Sequence, residues 1–180
     1  MDWVLMPLRR YAEFSGRSRR TEYWAWVLMQ IVVGIAFWTL LLVVANVTIF
    51  TLGDSIDPAA LGAGVLILFG LFFLLWLFLL IPSLAVTVRR LHDSNRSGWW
   101  ILGPMVPYAL GWFALAAAVG DGKPALNPAA GPLVLIGVLA FLVSVIFGLV
   151  MLIFMLLEGT PGPNRYGPDP KGRTEASVFS

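Results

Sequence analysis

The sequence predicts an all-α integral membrane protein: a four-helix transmembrane bundle preceded by a short N-terminal interfacial segment. Three observations carry this. Hydrophobic residues make up 59% of the chain and charged residues 12%, with a mean hydropathy of +0.85; soluble domains run at about 45–50% apolar and about 25% charged. Four runs carry no charge at all, over about 23–50, 61–88, 98–119 and 132–157. Each is long enough to cross a bilayer, which takes about 20 apolar residues. The basic residues, finally, collect in alternate connections between those runs.

The N-terminal element runs from Met1 to Tyr11. Its Trp3, Val4, Leu5 and Leu8 pair with Arg9 and Arg10, the mix of a short helix lying at a membrane surface. A disordered leader is the alternative. No uncharged core with a small-residue cleavage site follows, so the segment does not read as a signal peptide. Gly16 then marks a bend. Ser18 or Thr21 can cap the next helix, and Glu22 suits its positive end. Trp24 and Trp26 suit the headgroup level, where an amphipathic ring keeps one wet edge.

The first span has polar exceptions in Gln30, Asn46 and Thr48. Hydrogen bonding to a neighbouring helix is their expected role; lining a solute path is the alternative. The second span has Pro82 near its far end, which frees the Phe78 carbonyl and should kink the helix. Arg89 and Arg90 close it, as cations suit a negative helix end. The polar insert Arg89–Trp100 follows, holding the chain's one histidine, His92, beside Asp93, with Arg96 further on. Ser97 is a candidate cap and Trp99 and Trp100 an interfacial anchor for the third span, whose first half Pro104 and Pro107 interrupt. In the fourth span Ala140, Ser144 and Gly148 fall four apart, a spacing that lets helix backbones approach. Gly159 and Pro161 end that helix. Glu158 is an acid at a negative helix end and so calls for a cationic partner, for which the arginines of the insert are the nearest candidates.

Threading follows from charge. Arg9, Arg10, Arg17, Arg19, Arg20, then Arg89, Arg90 and Arg96, then Arg165, Lys171 and Arg173 fall on one side; Lys123 stands alone on the other. Short loops rich in Lys and Arg stay cytoplasmic. Both termini and the insert are therefore expected inside, in one transmembrane domain over residues 1–170, with 171–180 a disordered tail.

Three motifs occur in order: Gly16–Trp24, Arg89–Asp93 continuing to Ser97–Trp100, and Gly162–Pro170. Together they resemble the small bacterial inner-membrane proteins of domain of unknown function 805, of the YhaH type, over about Tyr11 to Pro170. The resemblance implies a multi-pass protein of the bacterial cytoplasmic membrane, and it implies no activity.

The chemistry-bearing residues weigh against catalysis. His92 and Asp93 are sequence neighbours, which seldom adopt the geometry of a base and its orienter. Ser94 and Ser97 show no activation. One histidine, scattered carboxylates and no cysteine fall short of a metal ligand set, and no phosphate-cradling glycine motif is present. No catalytic residue, metal or cofactor is assigned. The net charge of +2 and the placement of the arginines speak for membrane orientation rather than nucleic acid. The segments Arg17–Glu22, Arg89–Arg96 and Glu158–Asp169 each carry both signs of charge. They suggest one paired cytoplasmic cap of Arg17, Arg20, Glu22, Arg89, Arg90, His92, Asp93, Arg96, Glu158, Asn164, Arg165 and Asp169, built from exposed ion pairs. The favoured reading is a non-enzymatic protein in a phospholipid membrane. Its basic face would bind anionic lipid headgroups or a protein partner, a second copy included. A small transporter or channel component is one alternative; a membrane-interface enzyme using the insert is the other.

Overall fold

The structure is a computed structural model that describes residues 5–52, 57–120 and 129–172. The sequence expectations for Met1–Val4, for Lys123, and for the tail beyond Gly172 lie outside those residues. The elements in order are α1 (Met6–Arg9), α2 (Arg20–Leu52), α3 (Pro58–Asp93), a 3-10 turn (Gly98–Ile101), α4 (Leu102–Val119) and α5 (Ala130–Leu156). The described residues form no strand; an isolated bridge joins Asn164 and Gly167. The fold class is all-α, with four helices long and apolar enough to cross a membrane: Arg20–Thr48, Leu61–Asp93, Gly98–Val119 and Ala130–Leu156. Leu66, Phe73 and Leu135 are among the apolar side chains that face outward from them. That is the pattern of helices solvated by lipid rather than water.

The chain divides into two compact units. The first comprises Met1–Phe14 and Thr21–Val86, the second Ser15–Arg20 and Thr87–Ser180.

In the first unit, Trp26, Leu79 and Val86 form a small core, with Leu8, Tyr23 and Met29 packed against it. Trp26 is 1% exposed and its indole N–H donates to Ser83 Oγ at 3.0 Å. The expectation of a headgroup-level ring with a wet edge is corrected for this residue: the ring is interior and its N–H is satisfied by protein. Trp24 is half-buried and meets Tyr23 edge-on at 5.4 Å. Gln30 does bond across helices, its amide donating to Ser83 Oγ at 2.6 Å. Among the described residues Asn46 and Thr48 do not. Asn46 donates to Leu42 O and Thr48 to Val44 O, each at 2.7 Å. A short side chain one turn above a carbonyl of its own helix reaches it without a neighbour.

Pro82 removes the N–H that would pair with Phe78 O. The Tyr11 hydroxyl takes that place, donating to Phe78 O at 2.6 Å, with the two rings 5.1 Å apart. The segment 5–14 is thus stapled to α3 rather than loose. Within it Arg10 makes a two-bonded pair with Glu13, at 2.6 and 2.5 Å. That hydrogen bond raises Arg10 above its ordinary value, partly offset by desolvation.

In the second unit α4 and α5 pack as a pair. A Cβ added at Gly103 would meet the Phe147 ring, one at Gly111 the Phe141 ring, and one at Gly137 Leu115 and the Gly111 carbonyl. Ser144 Oγ donates to Pro104 O at 2.8 Å. The close face of α5 is therefore Gly137, Phe141, Ser144 and Phe147; of the expected row Ala140, Ser144 and Gly148, Ser144 meets α4, whereas nothing lies within 4 Å of an added Cβ at Gly148. Pro104 does not interrupt α4, since it stands in the first turn, where a missing N–H costs nothing; Pro107 lies inside it.

Candidate functional site

The polar end of the second unit is assembled from three segments far apart in sequence: Ser15–Arg20, the last turns of α3 with the insert, and the chain after α5. Local chemistry shapes each. Gly16 has φ +81°, a left-handed turn that suits glycine. The helix α3 ends with Asn95 at φ +57°; Arg96 N bonds back to Leu91 O at 2.9 Å and Asn95 N to His92 O at 3.0 Å. This is a left-handed helix stop with asparagine in the position glycine usually takes. Ser97 accepts from Trp99 N at 3.4 Å and so caps the 3-10 turn. After α5, Asn164 and Gly167 exchange two backbone bonds of 3.0 Å, closing a tight turn that sets Tyr166 in place.

At the centre is Asp93, 4% exposed, between Arg17 at 5% and Arg90 at 0%. Arg17 Nε and Nη2 both reach Asp93 Oδ1 at 2.9 Å, and Arg90 Nη1 reaches Oδ2 at 2.6 Å. One carboxylate thus serves two guanidiniums. The remaining donors go to backbone carbonyls. Arg17 donates to Gly162 O at 2.7 Å and Thr160 O at 2.5 Å. Arg90 donates to Met155 O at 3.4 Å and also to Leu157 O. Arg20 adds a bond to Leu156 O at 3.2 Å. Arginines therefore satisfy the last carbonyls of α5, which have no partner inside the helix and carry its negative dipole end.

Here the sequence expectation of exposed pairs is corrected. The Arg17–Asp93–Arg90 pairs are buried, and a buried guanidinium stays charged, so its bonds must be complete. Glu158 is an exposed acid of the cluster, and its partners include Arg20 at 2.7 Å and Lys171 at 3.0 Å. Arg19 donates to Pro170 O at 2.7 Å.

His92 and Asp93 turn to different partners. His92 Nδ1 sits 3.2 Å from Gly16 O, and its ring stacks on Tyr166 at 3.8 Å with a 4° interplanar angle. Asn164 donates to His92 O at 2.9 Å, and Thr160 N to Asp93 O at 2.9 Å. Ser94 Oγ donates to Leu91 O at 3.0 Å. The two serine hydroxyls of the insert thus hold backbone. Among the described residues no three of His, Cys, Asp or Glu come together as a metal ligand set.

Arg89 is fully buried, and its carbonyl accepts Ser18 N at 3.1 Å. Asp169 accepts Lys171 N at 2.9 Å in a tail turn. Glu22, 5% exposed, lies in the first unit. Arg96 and Arg165 are exposed. Arg96 lies over the Phe154 ring at 4.2 Å, and Phe154 also meets Trp100 edge-on at 5.2 Å. Arg165 lies over Tyr166 at 4.7 Å and donates to Asn95 O at 3.3 Å. Trp99 is 77% exposed. Sequence reasoning missed Gly159, whose absent side chain makes room for the Asp93 carboxylate: an added Cβ would fall on its oxygens. It also missed the carbonyls of Thr160 and Gly162, because a backbone acceptor leaves no trace in residue type.

This arrangement is built from the three motifs, and a model of a family described as a protein of unknown function, DUF805, matches residues 11–168. The chain belongs to the DUF805 family. The match begins at Tyr11, which staples α3, and ends in the tail turn. Among curated relatives of this DUF805 chain is inner membrane protein YhaI of Escherichia coli K12, 33% identical over 95% of this chain and 97% of that one. Inner membrane protein YhaH of the same strain is 31% identical over 95% and 98%. Uncharacterized protein YiiR is 32% identical over 87% and 84%. No solved structure matches the chain. The DUF805 chain is an integral membrane protein, similar throughout its length to inner-membrane proteins.

Proposed function

We propose that this protein is a non-enzymatic inner-membrane protein whose cytoplasmic face holds an anionic phospholipid headgroup between Arg96 and Arg165. The observation that carries the reading is a division of labour among the arginines. Arg10, Arg17, Arg20 and Arg90 each pair with a carboxylate. Arg96 and Arg165 are exposed and have no carboxylate within 4.0 Å among the described residues. They are neighbours, since Arg165 bonds the carbonyl of Asn95, next to Arg96. Each guanidinium rests on an aromatic face; Arg165 gives one Nη2 hydrogen to Asn95 O, and the other N–H groups of the two suit the bidentate geometry phosphate takes. The exposed Trp99 ring at the start of the next membrane-crossing segment suits the headgroup level. An anionic cytoplasmic leaflet attracts such residues by about 1 kcal/mol each. The distribution of Lys and Arg supports the inward orientation of this face and of both termini.

The test is lipid retention. The full chain, purified in mild detergent, is compared with Arg96→Ala/Arg165→Ala by native mass spectrometry. The double variant should lose retained phosphatidylglycerol and cardiolipin while keeping its helix content. Equal retention would overturn the reading, and loss of a co-purifying protein instead of lipid would point to a protein partner. Reporter fusions after Gly53 and Pro124 should read outside, and after Ser94 and Lys171 inside.

A further inference from the structure

The first unit holds a cavity of about 160 Å³ between α2 and α3, walled by Gln30, Val33, Gly34, Phe72, Trp76 and Leu79. Gln30 and Gly34 are one turn apart on α2, as Phe72 and Trp76 are on α3. Phe72 is held in place by a stack on Phe37 at 3.9 Å. The polarity of the cavity wall is set by a neighbouring hydrogen-bond network. Ser83 Oγ donates its one proton to Leu79 O at 2.5 Å. It can therefore only accept from its other neighbours, the Trp26 indole N–H and the Gln30 amide. The Gln30 atom facing Ser83 must then be its NH₂ group, and the orientation of the amide follows. Its Oε1 is left with no donor among the described residues. Trp76, which also lines the cavity, likewise has an indole N–H with no acceptor among the described residues.

An unpaired amide oxygen in a membrane-embedded wall is costly, because lipid offers it no donor. Water alone answers poorly. One water has a share of about 30 Å³, and each needs two to four polar partners, so two polar groups cannot support enough water to fill this space. An acyl chain would fill it and leave the amide unpaired. The volume is close to that of a cavity of about 150 Å³ that takes up a single benzene ring. The wall is largely apolar and aromatic.

We infer that this cavity is a binding site for a phenol- or quinol-type ring delivered from the bilayer, with its hydroxyl donating to Gln30 Oε1 and its ring against Phe72 and Trp76. The inference shares no residue with the lipid-headgroup reading and does not depend on it.

The experiment uses the full chain in mild detergent, with 4-fluorophenol and fluorobenzene as probes followed by fluorine NMR. The parent should bind 4-fluorophenol more tightly than fluorobenzene. Gln30→Leu should weaken 4-fluorophenol about tenfold, the effect of one lost hydrogen bond, and leave fluorobenzene unchanged. Gly34→Leu should remove binding of both, because its side chain grows into the cavity; nothing lies within 4 Å of a Cβ there, so the fold has room for it. Circular dichroism checks the helix content of each variant, and Gln30→Leu alone decides if Gly34→Leu does not fold. Equal affinity of the parent for the two probes, no binding of either, or a Gln30→Leu variant that binds 4-fluorophenol like the parent would each overturn the inference.

Discussion

Replacing Asp93 by alanine removes the carboxylate that two buried guanidiniums share. The parent makes contacts of 2.9 Å from Arg17 and 2.6 Å from Arg90, on side chains that are 1% and 0% exposed. Breaking a buried pair by deleting one partner costs about 3–5 kcal/mol, most of it the charge left behind. Two factors act in opposite directions here. Two cations lose their counter-ion instead of one, yet each keeps backbone acceptors: Gly162 O and Thr160 O for Arg17, Met155 O and Leu157 O for Arg90. The lower end, about 3 kcal/mol, is the expected loss. For a chain of this size each kcal/mol moves the midpoint by about 2–4 °C, so Tm should fall by about 6–12 °C. The assay is thermal unfolding in detergent followed by circular dichroism. Asp93→Asn keeps the shape and one acceptor oxygen and should fall between alanine and the parent. A double-mutant cycle of Asp93→Ala with Arg17→Leu should show strong coupling, because residues in one network are not additive. A shift below about 2 °C for Asp93→Ala, or additivity in the cycle, would refute the argument that this carboxylate holds the cluster together.

Gly159→Ala should expose the tail to protease, since its Cβ would fall on the Asp93 carboxylate; a tail as resistant as the parent's would count against that packing. Gly111→Leu should lower Tm by separating α4 from Phe141, whereas Gly148→Leu should leave it unchanged, because the space there is open; the reverse order would mean the wrong face of α5 has been assigned. Tyr11→Phe should cost about 1–3 kcal/mol by stranding Phe78 O, read as faster hydrogen exchange in residues 5–14, and unchanged exchange would remove the staple.

The four apolar helices and the all-α class are legible from sequence because a bilayer imposes a length and excludes charge, and both can be counted along the chain. The identity of the polar segments was legible too. Arg17, Arg90 and Asp93 stand out because charges flanking such runs are few. Their burial was not legible. Whether an arginine is exposed or interior depends on which carbonyls approach it, and Met155, Leu157, Thr160 and Gly162 contribute through backbone atoms common to every residue. The same limit hid the choice of Arg20 and Lys171 as partners for Glu158. It hid the interior place of Trp26, where Ser83 supplies the partner that a wet interface was expected to supply. Sequence determined where charge could not go, because lipid rejects it everywhere along a span. Only the tertiary structure decided which charges meet, because a hydrogen bond tests distances of a few ångströms between residues 65 to 145 positions apart.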